Sequence, residues 1–194
     1  METITSNSKD IKSAVKALLF AIGENPEREG LKDTPDRIAR MVKEIFRGYD
    51  KTQKPKITTF QNEEGISDVV FDTGEYYSMC EHHVLPFFGR YYFAYIPNPK
   101  GRILGISKVA RVVGYCAARL QLQERLARDI VSMLSEALGN DALGFALVMK
   151  GKHLCKSMRG VRNNGVMTVA HLTGAFANNE NVKKEFYNLI NLNK

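Results

Sequence analysis

The sequence predicts an α+β fold in which helices cover an antiparallel sheet. Three observations carry this reading. Stripes of apolar residues at helical spacing come in adjacent pairs, β-branched and aromatic runs also come in pairs, and the two kinds do not alternate strictly along the chain. The 194 residues amount to about one domain with a small appended element. With 44% hydrophobic and 25% charged residues, 15 Gly and 6 Pro, the chain is neither disordered nor low-complexity nor collagen-like.

Ile11, Val15, Leu18, Leu19 and Ile22 recur at helical spacing, and Gly23 follows where a helix would stop. Thr34-Pro35 then offers an N-cap and a proline at the first helical position. Ile38, Met41, Val42, Ile45 and Phe46 form the buried stripe of this second helix, which ends at Gly48. Its other face carries Arg37, Arg40, Glu44 and Arg47, which by pattern alone reads as a solvated surface. Lys51 to Ile66 has no clear period, so residues 1–66 are expected to form an N-terminal helical region with a connection, and residues 67–194 the body.

Asp68 to Phe71 and Tyr91 to Ile96 read as strands bracketing a segment from Ser78 to Gly89. Ser107 caps a helix with apolar positions Val109, Val112, Val113, Cys116 and Leu120. A second long helix runs through Leu122, Leu126, Ile130, Met133, Leu134 and Leu138 to Gly139. Gly144 to Met149 and Gly165 to Val169 read as a second strand pair around His153 to Arg162, and Val182, Phe186, Leu189 and Ile190 suggest a closing helix.

Twenty-eight Lys and Arg against 21 Asp and Glu give a net charge of +7, which favours an anionic partner without choosing one. No apolar stretch approaches the roughly 20 residues that cross a bilayer, and the amino terminus lacks a basic start followed by an apolar run. The expected location is cytoplasmic, with no membrane partner. Three cysteines, an odd number in such a chain, argue against a disulfide framework and leave thiols for metal or nucleophilic chemistry.

Three of the four histidines lie within three residues of a cysteine, in Cys80-Glu81-His82-His83 and His153-Leu154-Cys155. Cys80 and His83 can turn onto one side of a tight loop, thiolate and imidazole suit zinc, and Cys155 supplies a plausible third ligand. Three protein ligands leave a position for water, which favours a catalytic over a structural metal. His82 and His153 stand beside this set as candidate general acids or bases. Cys116 fits the apolar stripe of its helix and reads as core, and His171 as a structural or surface histidine. Ser107, Lys108 and Arg111 at a helix start, with Arg159 close after Cys155, are a natural phosphate site. Gln123-Glu124 could read a base edge through the carboxylate.

At these residues the sequence resembles GTP cyclohydrolase I. The resemblance rests on five ordered blocks between about Ile11 and Phe186: Glu27 to Leu31 with Asp33 to Arg37, Met79 to His83, Gly105 to Lys108, Gln121 to Leu126, and His153 to Cys155 with Arg159 to Val161. It implies the tunnelling fold, in which each subunit contributes a four-stranded antiparallel sheet and a helix pair to a barrel and two rings stack as a homodecamer. It also implies zinc on Cys80, His83 and Cys155. The implied reaction is hydrolytic opening of the guanine imidazole ring of GTP, releasing formate and giving 7,8-dihydroneopterin triphosphate, the first step of tetrahydrofolate or related pterin synthesis.

By the same resemblance His82, with His153 nearby, protonates N7 so that water can attack C8. Glu124, with Gln123, anchors the guanine edge, and Ser107, Lys108, Arg111 and Arg159 hold the triphosphate. Arg37 and Arg40 match triphosphate contacts from a neighbouring subunit, which replaces the solvated-face reading. One departure from the family is the strand Met167 to Thr173, which has fewer hydroxyls than is common and adds His171. A zinc-stabilised nucleic-acid-binding module would also explain the charge and the clusters, but it wants four closed ligands where the sequence offers three good ones, so no nucleic acid is expected as partner.

Overall fold

β-Branched and aromatic residues crowd the segments that become the long strands of the sheet. In the computed structural model, which describes residues 8–193, these are β2 (Val70–Cys80), β3 (Pro86–Pro97), β6 (Ala142–His153) and β7 (Met167–Leu172). They pair antiparallel in the order β2-β3-β6-β7. The two-residue β5 (Leu120–Gln121) adds to β2 in parallel, with Met79 opposite Leu120 and Cys80 opposite Gln121. The sheet therefore has five strands where four are expected. The fifth arises because the helix α3 (Lys108–Ala117) stops before Leu120, and the chain needs an extended step to enter α4 (Gln123–Leu138).

The strands are longer than their apolar cores suggest. β2 and β3 run to within a five-residue turn of each other, so most of the bracketed segment Ser78 to Gly89 is strand. Tyr91 to Ile96 is apolar at every position because both faces of the sheet are covered. Tyr91, Phe93 and Tyr95 pack with Phe145, Leu147 and Met149 under α3 and α4, where Val112, Cys116, Leu126, Ile130 and Leu134 complete the core. Tyr92, Ala94, Ile96, Ala146 and Val148 face the other way, against Phe176 of α6 (Ala175–Asn178) and Phe186 and Ile190 of α7 (Glu180–Leu192). Cys116 is wholly buried, as its stripe predicts, and burial pushes its thiol up to about 12.

The chain divides into two units, one ending at Gln53 and the other beginning at Lys54. The connection expected up to residue 66 largely joins the second unit, because β1 (Thr59–Gln61) pairs with β4 (Arg102–Leu104) and Asn62 is buried there. The Asn62 amide donates to the carbonyls of Ile66 and Asn98 at 2.8 and 2.9 Å, and its oxygen accepts from the Ile66 amide at 2.9 Å. The first unit holds α1 (Ser8–Ala21) and α2 (Thr34–Ile45). Val15 and Ala39 are buried, whereas Met41, assigned by period to a buried stripe, is exposed, as are Leu18 and Ile22. Among the described residues no helix is long and apolar enough to cross a membrane.

Close approach of β3 and β6 demands glycine at position 89: a Cβ there would meet the Lys150 carbonyl oxygen at 1.9 Å. Because the obstacle is backbone, it cannot rotate aside. Gly89→Ala is expected to lower stability by about 3 kcal/mol or more in urea unfolding. A midpoint within error of the parent would show that the two strands can separate there without loss.

Candidate metal and catalytic centre

The two Cys/His motifs meet at one end of the sheet because of strand register. Cys80 ends β2 and His153 ends β6, with Phe87 of β3 paired opposite His153. One further turn, α5 (Leu154–Ser157), carries Cys155 back so that its Sγ lies 3.7 Å from Cys80 Sγ. Ligand atoms of Cys80, His153 and Cys155 all lie within 4.8 Å of one another. Two thiolates bound to one tetrahedral zinc at about 2.3 Å stand about 3.8 Å apart, so the sulfur pair has the spacing that the metal would need. Burial, and then the neighbouring Cys80 thiol, push the Cys155 thiol up, while burial pulls His153 down.

The turn after Cys80 is tightly built. The Cys80 amide donates to the Leu85 carbonyl and the Val84 amide to the Cys80 carbonyl, both at 2.9 Å, and the Glu81 amide donates to Gln121 at 3.1 Å. Val84 sits at φ 52, a left-handed conformation that a β-branched residue adopts only at a cost in strain. Arg125 braces the turn: it pairs with the Glu81 carboxylate and donates to Gln121 Oε1 at 2.8 Å and to the Leu120 carbonyl at 3.0 Å. Gln121 in turn donates to the Cys116 carbonyl and to Asp129, both at 3.0 Å, and Arg119 pairs with Asp129 at 2.5 Å.

The remaining candidates fall into three groups. His82 and His83 are exposed on the turn: His82 Nδ1 is 4.0 Å from Cys80 Sγ, and His83 Nε2 accepts from Arg159 at 3.1 Å, so His83 lies outside the group formed by the two thiols and His153. Gln123 points inward and is bonded to His153 at 2.9 Å, whereas its neighbour Glu124 is exposed. Ser107, Lys108 and Arg111 stand at the start of α3, where the Ser107 hydroxyl makes no capping bond. Arg37 and Arg40 belong to α2 in the first unit, with Arg37 3.7 Å from Asp33.

Sequence reasoning attached no role to Arg125, Gln121 or Phe87. Phe87 lies flat against the His153 ring, with centroids 4.5 Å apart and planes 4° from parallel. No local pattern marks Arg125, because its place depends on the pairing of β5 beside Cys80.

A family model described as GTP cyclohydrolase I matches residues 11–191. A protein named GTP cyclohydrolase 1 from Thermoanaerobacter pseudethanolicus is 47% identical over 97% of this chain and 99% of its own. Another of that name, from Caldanaerobacter subterraneus subsp. tengcongensis, is 47% identical over 95% of this chain and 97% of its own. Among solved structures, the archaeosine synthase QueF-Like in the apo form is similar with a TM-score of 0.44 and 19% identity over 55% of this chain and 93% of that one.

If Arg125 holds the turn that presents the Cys80 motif, Arg125→Met should weaken zinc binding by about ten- to a hundredfold. The measurement is competition against a chelator of known affinity. Unchanged zinc affinity would reduce the arginine to a surface ion pair.

Proposed function

The chain belongs to the GTP cyclohydrolase I family, a family of hydrolases, and from that premise we propose how its own residues carry out the hydrolytic opening of the guanine imidazole ring of GTP. The observation that carries the proposal is the pair of thiols 3.7 Å apart at the mouth of the sheet, a donor set suited to zinc. Cys80, His83 and Cys155 would hold the ion. When bound, zinc supplies Lewis-acid character that makes water a competent nucleophile near neutral pH.

The residues around the ion supply the rest. Water adds at C8 of the purine, and a proton on N7 makes that carbon more electrophilic; His82, exposed on the turn beside Cys80, is the proposed donor. Hydrolysis of the opened ring frees formate, the ribose rearranges, and closure of a six-membered ring gives 7,8-dihydroneopterin triphosphate. His153 is the second proton carrier. Glu124, exposed at the start of α4, offers two acceptor oxygens to the N–H groups of the guanine edge. Ser107, Lys108 and Arg111 at the start of α3, together with Arg159, bind the triphosphate by charge-assisted hydrogen bonds.

His153 is the rival third ligand, since it and not His83 lies within 4.8 Å of the thiols. Two features favour His83 all the same: the family resemblance assigns the ligand to it, and it stands on the turn three residues from Cys80. With GTP as substrate, the purified protein should release formate and yield a product that fluoresces as a neopterin after oxidation. His83→Ala and Cys155→Ala should lose zinc by metal analysis, and His153→Ala should keep it while turnover falls. Full zinc in His83→Ala with loss in His153→Ala would exchange the two roles.

The family resemblance further supports a homodecamer of two stacked rings, with Arg37 and Arg40 of one subunit reaching the triphosphate held by another. Arg37→Ala and Cys155→Ala should each be poorly active alone. Co-refolded at equal ratio, they should regain roughly a quarter of the sites if mixing is random. Activity no higher than the average of the two parents would place Arg37 within its own chain's site or outside the reaction.

A further inference from the structure

Gln123 is 1% exposed, and the orientation of its amide is fixed by its partners. Its Nε2 donates to the backbone carbonyls of Met149 at 2.9 Å and Met167 at 3.2 Å. Carbonyl oxygens only accept, so the amide cannot be turned end for end without setting acceptor against acceptor. Oε1 is therefore the atom that faces His153 Nε2 at 2.9 Å. Since an amide oxygen also only accepts, the hydrogen of that bond must sit on Nε2, and in the neutral ring Nδ1 keeps the lone pair.

The surroundings hold the same arrangement. Phe87, stacked on His153, fixes the ring plane, and Tyr76 meets Phe87 edge-on with centroids 6.1 Å apart. Gly151 leaves the space in which the parts converge: a Cβ there would come within 2.4 Å of the Tyr76 hydroxyl and 2.6 Å of Gln123 Oε1. The Tyr76 hydroxyl is the one buried side-chain polar atom among the described residues that has no hydrogen-bond partner.

We propose that Gln123 is a positioning residue for the reaction, acting through His153: it holds the imidazole in the Nε2–H form, with the lone pair on Nδ1. The role differs from a contact with the guanine edge, because the polar atoms of the buried amide are already engaged by Met149, Met167 and His153. It rests on the proposed function insofar as His153 carries a proton during GTP hydrolysis.

The test uses the zinc-loaded protein and Gln123→Met, which keeps the length of the side chain and removes its hydrogen bonds. A positioning role lowers kcat by about ten- to a hundredfold, with zinc content and KM for GTP within about twofold of the parent. A raised KM with kcat intact would assign Gln123 to substrate binding and overturn the proposal, as would no change in either constant. Independently of whether the variant folds, the wild type provides a second reading. In protein labelled with 15N-histidine, with His153→Asn as the assignment control, the ring nitrogens of His153 should report the Nε2–H form, and an Nδ1–H form would overturn the proposal. Absence of formate release by the wild type would instead refute the functional reading, while the ring nitrogens would still report on Gln123.

Discussion

The register of β2, β3 and β6 is the constraint on which the rest of the site depends. Met79 pairs with Pro86 and Phe87 with His153, so that Cys80 and His153 arrive together at one end of a sheet that is buried on both faces. Successive side chains point to opposite faces, and a slip of one residue in either pairing would send His153 away from Phe87 and the thiols. Slippage is opposed along the whole length of the strands. Tyr91, Phe93 and Tyr95 would have to exchange faces with Tyr92, Ala94 and Ile96, trading three rings for one ring and two aliphatic side chains in two cores that are already filled. The precision of the site is thus a consequence of packing far from it.

A second set of forces acts on the turn between Cys80 and Leu85. Val84 in a left-handed conformation favours release of the turn, and the linked polar groups Glu81, Arg125, Gln121 and Asp129 oppose it. Gln121 is wholly buried, so its hydrogen bonds matter mainly for what their loss would cost: an unpaired buried amide is penalised by about 1–3 kcal/mol, more than the net gain from making the bond. The Glu81–Arg125 pair is partly exposed and contributes less through charge than through geometry. It ties a residue of the turn to the helix whose first residue, Gln123, touches His153.

The helical stripes of α3 and α4 are legible in the sequence because each of these helices buries one face, and Leu126, Ile130 and Leu134 fall where the period puts them. The strand ends are less legible. Ser78 to Cys80 and Pro86 to Gly89 carry mixed polarity and a proline, and they are strand because their partners extend alongside them, which no local pattern records. The five-stranded sheet is illegible for the same reason, since two residues of β5 have no period at all. In the site, the clustering of Cys and His is plain in the sequence, and so is the cationic helix start at Lys108. The assignment of Gln123 to the guanine edge reads a pair, Gln123-Glu124, as one unit; on a helix, neighbouring residues point about 100° apart, and here one faces the core while the other faces solvent.

That division extends to the whole site and gives it two sides of different character. Cys80 is buried, and His153 and Cys155 are partly buried on strand ends or the turn just after, where backbone hydrogen bonds and the Phe87 ring restrict them. Ser107, Arg111, Glu124 and Arg159 are exposed, on helix starts or in a loop. Bond-making chemistry needs the first kind of support, because a proton carrier displaced by a fraction of an ångström loses its hydrogen-bond geometry. Holding an anionic ligand does not: long cationic side chains can follow a triphosphate through several conformations at little loss of charge interaction. On the proposed function, the restricted side would set which atom reacts and in which protonation form. The exposed side would set how long an anion stays within reach.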